Sequence, residues 1–537
     1  MFLDSYQEIL DKLRSGVEKA LGEELESSEL SQSVSFCDMS FGDLATNIAL
    51  QKAKKLGMNP RELAETIVQG LINGGDFASA EVAGPGFVNI RLLETDYSRL
   101  LTELKPGFFT SEKGAGRRVN VEFISANPTG PLVLVNAWGG YYGDILASLY
   151  ASQGYEVARE YYLNDGGNQI AQLGRAVQQA AGAEFSEEEA AELYRGPYVD
   201  ALAKDLSEEF AGTDGLISAD PQNVGDKAQA IILAQFIKPT LQRLGIHHDE
   251  IYPESRLDNQ ATIERLRQAG AILEKDGAVW LSGEKAGLDK DEVLVRSTDG
   301  QETYFLKDIS YQLTKLEDRR FDTAITIVGP DHHGQEQRLL AALSLLGHDG
   351  FVPLWTQTVR LTKDGQEYKM SKRRGNYIVL DEFLDMVPSQ TARFFFAMRD
   401  TNSHFDMDLD LVASQNKHNP LFYVMYSYVR ANSVLAKFGD VSMPNELHLD
   451  NEQKQILRTF IEISELIEQA TVTQQVHSVL HRMIETARYF HDWYEKNPVI
   501  KEPNDEVRMG RAYFVLKYRD ALASLFGLIG IEPQDKM

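Results

Sequence analysis

The central part of the chain alternates between two patterns of apolar residues. Short runs rich in β-branched and aromatic residues are separated by longer runs of helical period between about residues 115 and 380; the short runs include 119–124 (VNVEFI), 157–163 (VAREYYL) and 323–329 (TAITIVG). Strands that alternate with helices predict a parallel α/β sheet.

The two ends of the chain have other patterns. The first 110 residues begin with helical spacing and end in a strand-like run at 84–92. From about residue 385 the spacing is helical, and one predicted face carries Ile456, Phe460, Ile463 and Ile467. We therefore predict three domains at 1–110, 111–385 and 386–537, with a polar helical insertion at about 166–265.

The composition is that of a soluble protein with several cores. The chain has 537 residues, of which 43% are hydrophobic and 25% charged. No run approaches the 18 or so apolar residues that a membrane span requires. The start, MFLDSYQEILDKL, lacks a signal pattern, so we expect a cytoplasmic protein without a membrane partner. Cys37 is the only cysteine, which excludes an intramolecular disulfide and a cysteine-cluster zinc site, and we expect no bound metal at protein ligands.

The net charge of −26 lowers the expectation of nucleic-acid binding, because such proteins usually carry a basic surface. Net charge describes the long-range field and not a local surface. A basic stripe on an acidic body would still bind RNA, so the charge does not decide the matter.

The end of the first predicted strand carries two polar residues, Glu122 and Asn127, before a Pro/Gly turn and a helix from about Ala137. Ligands bind where the strands of an open α/β sheet end. A carboxylate buried at that point needs a cation, and a guanidinium would suit it because it can form two hydrogen bonds. An internal salt bridge explains the same residues equally well.

A second polar group lies on the predicted helix around residue 308. Tyr304, Asp308 and Tyr311 have i, i+4, i+7 spacing and so share one helix face. An acid between two tyrosines suits a small cationic ligand. The alternative is an ordinary helix start with a capping acid.

Two loops complete the candidate chemistry. The run 329–334 (GPDHHG) follows a strand, but its adjacent histidines diverge and no third ligand is near in sequence, so a nucleotide or substrate loop is favoured over zinc. The run 368–376 (YKMSKRRGN) places four cations among small residues, as in a movable clamp for a polyphosphate. Its alternative is a solvated basic loop.

Together these motifs resemble the arginyl-tRNA synthetases, which are class I enzymes. The resemblance includes FGDLATNIALQKAKKLGMNP, AGPGFVNIRL, SANPTGPL, EYYLNDGGNQ, GPDHHG, KMSKRRGN and NPLFYVMYSYVR. It implies an α/β multidomain protein: a Rossmann-like parallel-sheet catalytic domain, an N-terminal α+β domain that binds the tRNA elbow, and a C-terminal helical bundle that binds the anticodon. The implied reaction is ATP-dependent attachment of L-arginine to tRNA(Arg) through an arginyl-adenylate, with Mg²⁺, and the protein is expected to be a monomer.

The resemblance also assigns site residues by position. Arginine recognition falls to Glu122, Ser125, Asn127, Tyr304 and Asp308. The ATP site would comprise Val133, Val135, Asn136, Gly329, His332, His333, Lys369, Met370, Ser371 and Lys372, among which Lys369, Lys372 and Asn136 are the expected catalytic groups. Contacts to tRNA are implied for Tyr423, Tyr426 and the terminal Met537.

The chain departs from the family at Val133-Leu134-Val135-Asn136, where the family shows His-x-Gly-His. Loss of one preorganised donor costs about 2.7–4 kcal/mol of transition-state stabilisation, and a branched side chain in place of the glycine costs roughly 1–3 kcal/mol unless adenine shifts. Asn136 retains a hydrogen-bond donor. Either the chain is a synthetase with an adjusted ATP site, or it is an impaired paralogue that binds tRNA or arginine; the intact arginine residues and KMSK loop favour the first.

Overall fold

The computed structural model describes residues 4–298, 300–329, 335–368 and 378–536. They form two compact units. One unit comprises residues 1–111, 416–469 and 478–537, and the other comprises residues 112–415 and 470–477.

The N-terminal segment of the first unit is an α+β fold. A four-stranded antiparallel sheet has the order β1-β2-β4-β3, and apolar helix faces pack with it to form a core that includes Leu13, Ile67 and Ile90. In chain order the elements are α1 (Asp4–Leu21), α2 (Ser27–Ser33), β1 (Val34–Phe36), β2 (Leu44–Thr46), α3 (Ile48–Leu56), α4 (Pro60–Asn73), β3 (Ser79–Ala83), β4 (Phe87–Arg91) and α5 (Glu94–Glu103).

The second unit is built on a parallel sheet of five strands. Its first half contains β5 (Arg118–Glu122), α6 (Leu134–Ser152), β6 (Glu156–Leu163), α7 (Asn168–Ala180), α8 (Glu187–Glu192), α9 (Pro197–Glu209), α10 (Thr213–Ser218), α11 (Pro221–Ile232), α12 (Lys238–Leu244) and β7 (Glu250–Pro253). The stretch that the sequence predicts as a helical insertion thus contains a strand, because β7 pairs with β6. A strand of four residues is too short to stand out among long helical runs.

The second half of this unit begins with a small antiparallel sheet and returns to the main one. Its elements are α13 (Asn259–Gln268), β8 (Ile272–Lys275), β9 (Ala278–Leu281), α14 (Gly283–Ala286), β10 (Glu292–Val295), α15 (Tyr304–Leu313), β11 (Thr323–Val328), α16 (Gln335–Leu345), β12 (Phe351–Trp355), β13 (Val359–Lys363), β14 (Gln366–Glu367), α17 (Leu380–Met386), α18 (Ser389–Ala397), β15 (Phe405–Asp408) and α19 (Leu409–Ala413). The main sheet has the order β12-β11-β5-β6-β7, with every pairing parallel.

The strand order creates a switch point between β5 and β11. From β5 the chain moves outward to β6 and β7, whereas β11 and β12 lie on the other side of β5. Ligands bind at the carboxyl ends of strands at such a point. The predicted strands 119–124 and 323–329 are therefore confirmed as the two strands at this switch point, and the predicted α/β fold class is confirmed.

Glycines allow α6 to lie close to this strand end. A Cβ on Gly143 would lie 2.5 Å from Cγ of Phe123, and one on Gly140 would lie 2.3 Å from Cδ1 of Ile124. Neither distance is tolerable for real atoms, so any larger residue would push α6 away from the end of β5.

The C-terminal segment is a helical bundle, as predicted. It contains α20 (Pro420–Phe438), α21 (Asn451–Thr473), α22 (His477–Lys496) and α23 (Asp505–Leu528). The four residues predicted on one face of α21 are all buried. Within the first unit this bundle joins the N-terminal segment: Nη2 of Arg458 donates to the carbonyl of Cys37 at 2.6 Å, and Oγ of Ser98 donates to the carbonyl of Leu447 at 3.3 Å.

Residues 470–477, which run from the last turn of α21 to the start of α22, belong by their contacts to the second unit. Two tyrosines of α6 hold them. The hydroxyl of Tyr142 donates to the carbonyl of Gln474 at 2.6 Å and accepts from the amide of Val476, and the hydroxyl of Tyr150 donates to the carbonyl of Thr471 at 2.6 Å. None of the helices in the described parts of the chain is long and apolar enough to cross a membrane.

Candidate active site

Glu122 ends β5 and is only 5% exposed. Its Oε2 accepts from Nζ of Lys315 at 2.7 Å and from Oγ1 of Thr326 at 2.8 Å, while Oε1 accepts from Oγ of Ser125 at 2.8 Å. Lys315 is fully buried and lies 4.0 Å above the ring of Tyr311. Of the two explanations that the sequence left open for Glu122, the structure contains the internal salt bridge.

The backbone after β5 turns sharply. Ile124 has φ 62°, in the left-handed region that disfavours branched side chains. Two buried side chains hold this turn: the hydroxyl of Tyr161 donates to the carbonyl of Ala126 at 2.5 Å, and Nε2 of His248 lies 3.1 Å from the carbonyl oxygen of Phe123. Burial lowers the pKa of His248 to about 4, so the imidazole is neutral at physiological pH and donates from Nε2.

The turn determines where two predicted arginine contacts lie. Oγ of Ser125 donates to Glu122 and accepts from the amide of Tyr162 at 3.0 Å, so this hydroxyl is engaged within the protein. Asn127 is exposed, and its Nδ2 donates to Oε1 of Gln169 at 2.7 Å.

Helix α15 carries the second predicted group on one face, as the spacing indicated. Tyr304, in its first turn, is 52% exposed, whereas Tyr311 is buried and donates to Oε1 of Glu160 at 2.5 Å. Asp308 lies between them and is partly buried. The stripe therefore runs from solvent to the interior, and Tyr311 is used by the protein itself.

Asp308 lies in a negative environment. Burial, followed by the charges of Glu122, Glu254 and Glu336, raises the pKa of Asp308 to about 7. Glu254 is paired with Nζ of Lys307 at 2.5 Å and accepts from the hydroxyl of Tyr162 at 3.0 Å. No hydrogen bond or ion pair joins Asp308 to any other described residue. A carboxylate in this position suits a cationic ligand.

The first turn of α6 contains the segment that departs from the family pattern. The amide of Val133 donates to Oδ1 of Asn136 at 2.9 Å, so Asn136 caps the helix start. Its Nδ2 has no hydrogen-bond partner among the described residues. The chain after the KMSK run fixes the turn, because the amide of Leu134 donates to the carbonyl of Ile378 at 2.9 Å. The structure thus leaves one donor at the amino end of a long helix, where anions bind.

Several predicted nucleotide and tRNA residues lie outside the described residues: His332, His333, Lys369, Met370, Ser371, Lys372 and Met537. Gly329 is described and follows directly after β11. Its place at the switch point is consistent with the predicted loop.

An aromatic surface lies on α20 and α22. Tyr426 is 41% exposed and stacks on His491 at 5.5 Å between ring centroids, and Tyr423 lies 4.7 Å from the same imidazole. The guanidinium of Arg430 covers the rings of Tyr426 and Tyr494 at 4.7 and 5.1 Å. Beside it is a cavity of about 520 Å³, which Arg430, Lys437, Tyr494 and Lys501 help to line. Tyr423 and Tyr426 are thus brought together, as their spacing suggests.

Sequence reasoning missed several residues that the structure brings to these sites: Lys315, Glu254, Lys307, Glu336, Arg430, His491 and Tyr494. Arg430 and Lys315 carried local signals, since each follows a tyrosine of its site by four positions along the chain, and Lys307 directly precedes Asp308 in α15. The others come from elements that are distant in sequence.

Comparison with known proteins identifies the segments. Residues 7–92 match the model of the arginyl-tRNA synthetase N-terminal domain, residues 104–408 the class I (R) tRNA synthetase catalytic domain, and residues 424–537 the DALR anticodon-binding domain.

Relatives match over nearly the whole chain. An arginine–tRNA ligase of Symbiobacterium thermophilum is 36% identical, with 92% of each chain covered. That of Pelodictyon phaeoclathratiforme is also 36% identical and covers 93% of this chain and 95% of its own. The structure of Thermus thermophilus arginyl-tRNA synthetase has the same fold, with a TM-score of 0.77 at 20% identity and all of both chains covered.

Proposed function

The chain belongs to the arginyl-tRNA synthetase family and joins L-arginine to tRNA(Arg) with ATP; we propose that the residues around Asp308 and the first turn of α6 perform the reaction. The observation that supports this assignment of residues is the carboxylate of Asp308, which has no hydrogen-bond or ion-pair partner among the described residues and lies in a class I catalytic domain surrounded by further acids. The cationic substrate supplies the positive charge that would pair with this carboxylate.

The reaction has two steps. A carboxylate oxygen of arginine attacks the α-phosphorus of ATP, the bond to the bridging oxygen of pyrophosphate breaks, and arginyl-adenylate forms. A ribose hydroxyl at the 3′ end of tRNA then attacks the arginyl carbonyl, loses its proton, and releases AMP. Positioning and charge stabilisation supply most of the catalysis in such in-line transfers.

Arginine would bind with its guanidinium at Asp308 and with Tyr304 at the open side of the site. Asn127 would contact the ligand from the turn after β5. Glu122 keeps a role through Oε1, which only Ser125 contacts among the described residues. Its Oε2 is already neutralised by Lys315, so Glu122 adds less net attraction than Asp308.

ATP would lie at the amino end of α6, against Val133, Val135 and Gly329, with Nδ2 of Asn136 as a donor to a phosphate oxygen. His332 and His333 would border the nucleotide, and Lys369, Met370, Ser371 and Lys372 would close on the phosphates. Mg²⁺ would bind with ATP and share the charge of its phosphates.

The tRNA would use both ends of the chain. Its anticodon bases would stack on Tyr423 and Tyr426, each base–aromatic contact contributing about 1–3 kcal/mol, and Met537 would be a further tRNA contact. We propose functional domains at 1–110, 111–385 and 386–537, and a monomer that acts in the cytoplasm.

The first test is aminoacylation of total tRNA with labelled arginine at saturating ATP. Charging that depends on ATP and saturates with arginine is the expected result. Failure to charge, with tRNA(Arg) still bound, would overturn the proposed activity and leave a binding protein.

The altered segment has its own test. Val133→His combined with Val135→Gly restores two family residues, and the rate of arginine-dependent ATP–pyrophosphate exchange is measured with tRNA present. Little change is expected if the ATP site has adapted around Asn136. A gain of about 100-fold or more, the size of one lost donor, would show instead that the present segment is a decayed site.

A further inference from the structure

We propose that Glu336 is a second carboxylate for the guanidinium of the bound arginine, acting together with Asp308. The inference rests on the proposed function and deepens it, because it names a residue that sets the charge requirement of the substrate.

Three acids surround Asp308, and each comes from a different element. Glu122 ends β5, Glu254 follows β7, and Glu336 lies in the first turn of α16. All three are at least nine-tenths buried, and all three act electrostatically on Asp308. A ligand beside Asp308 is therefore within the field of all four carboxylates.

Two of these acids are neutralised inside the protein. Lys315 pairs with Glu122 at 2.7 Å, and Lys307 pairs with Glu254 at 2.5 Å. Each pair leaves little net charge for a ligand.

Glu336 is different. It is 5% exposed, and its Oε2 is buried without a hydrogen-bond partner. The cation two positions along, Arg338, pairs instead with Oε2 of Glu292 at 2.6 Å. No ion pair joins Glu336 to any residue that the structure describes. A buried carboxylate without a partner is unfavourable, and Asp308 and Glu336 both lack an ion-pair partner within the described part of the chain, so each suits a cationic ligand.

Helices α15 and α16, which carry Asp308 and Glu336, pack on each other. Leu306 and Ile309 of α15 share a core with Leu339 and Ala342 of α16, and the guanidinium of Arg338 lies 5.4 Å from the ring centroid of Phe305. A guanidinium has five N–H donors in a flat fork. It can engage one carboxylate along one edge and a second along another, which an ammonium cannot do with the same geometry.

The test is Glu336→Gln, which preserves shape and removes the charge. With tRNA and ATP saturating, the KM for arginine should rise about 10- to 100-fold, the loss expected for a charge-assisted hydrogen bond. The KM for ATP, measured at saturating arginine, should not change. Citrulline has a neutral urea group in place of the guanidinium, so its weaker inhibition should change little, and the arginine-to-citrulline preference should fall.

The matched control is Glu292→Gln. It removes the ion-pair partner of Arg338, whose charge also acts on Asp308, and so disturbs the same turn of α16 while both proposed ligand carboxylates stay in place. We expect it to leave the KM for arginine near the wild-type value. An equal effect of both variants would overturn the proposal, because displacement of α16 would then explain the result.

Stability separates a binding role from a structural one. Since Glu336 has no ion-pair partner among the described residues, Glu336→Gln should melt at or above the wild-type temperature while it binds arginine more weakly. A lower melting temperature with an unchanged KM would overturn the inference.

Failure of the proposed function would look different. If the wild-type protein charges no tRNA, direct binding of arginine by calorimetry, with tRNA present, still tests Glu336. Wild-type binding that Glu336→Gln weakens supports the inference, and equal binding by both proteins contradicts it.

Discussion

The side chains of Glu122 and Lys315 form a buried ion pair, whose charges affect the stability of the fold. Both are buried, and Lys315 also lies against the ring of Tyr311. Removal of one member of a buried pair leaves an uncompensated charge, whereas removal of both members has a far smaller effect.

Lys315→Met should therefore lower the free energy of unfolding by about 3–5 kcal/mol. Addition of Glu122→Gln to that variant should recover much of the loss, because the remaining side chain is neutral. Urea unfolding of the wild type, both single variants and the double variant measures the coupling. A double variant no more stable than Lys315→Met would contradict this explanation.

The raised pKa of Asp308 predicts a pH dependence of arginine binding. A cation favours the ionised carboxylate, so below the pKa of about 7 binding must displace a proton. The KM for arginine should fall about tenfold per pH unit on approach to pH 7 and level off above it. Asp308→Asn should bind arginine weakly at every pH, without this slope. A wild-type KM that is constant from pH 6 to pH 8 would disprove the linkage.

The effect of the same group on folding has the opposite direction. The folded protein holds this proton with a pKa of about 7, against 3.8 for an ordinary aspartate. The folded state is therefore favoured by protonation, and the contribution of Asp308 to stability falls as the pH rises from about 4 to about 7.

For single residues, the sequence predicted which side chains lie at the site better than it predicted the side chains with which they pair. Glu122 and Asp308 were identifiable because one ends an apolar strand and the other lies in a polar stripe. Lys315 was not identifiable as the partner of Glu122. It lies 193 positions from Glu122, in a short π-helical turn, Thr314–Asp318, that has no recognisable sequence periodicity. Long-range partners of this kind depend on the fold and leave no local pattern.

Among the elements, α6 has the tightest packing constraint. Gly143 and Gly139 lie on the same helix, but a Cβ on Gly143 would meet Phe123 at 2.5 Å, whereas one on Gly139 would meet only Ile327, at 3.4 Å. The two positions therefore provide a substitution and its control.

Gly143→Ala should lower the free energy of unfolding by about 1–3 kcal/mol, as overpacking does. Gly139→Ala should be neutral or should stabilise by up to about 1 kcal/mol, because alanine is the better helix former. Thermal melts of both variants test this difference. Equal melting temperatures would show that α6 can move away from β5 without cost.

Element prediction was accurate where the pattern was long. Three of the five strands of the main sheet, β5, β6 and β11, were predicted to within a few residues, and α21 was recognised by its apolar face. Strand β7 was missed because it is short and lies among helices. The first turn of α6 was expected to begin at Ala137 but begins at Leu134, since Asn136 caps it from within.

For the whole molecule, a net charge of −26 is compatible with a tRNA partner, because tRNA can bind through cations that lie on one part of the surface. Lys437 and Lys501 line the cavity beside the aromatic surface, are exposed, and form no ion pair with any described residue. Binding through phosphates depends on salt, because contacts release counterions.

We expect the affinity for tRNA(Arg) to fall steeply with salt. Lys437→Ala combined with Lys501→Ala should reduce the slope of log affinity against log salt by about 0.7 for each lost contact to a single-stranded segment. Filter binding between 50 and 200 mM salt, about the range in which such effects are large, measures both slopes. Identical slopes would indicate that the anticodon loop binds elsewhere.

The two-unit arrangement also sets an order of events during synthesis. The first unit needs residues 1–111 and residues from 416 onward, so the ribosome must add about 300 residues between them, which takes about 15–60 s at 5–20 residues per second. During that interval the carbonyl of Cys37 has no Arg458 to accept from. The N-terminal segment is thus made first, but the helices that it packs against are made last. Until α20 to α23 emerge, it depends on chaperones or on its own small core.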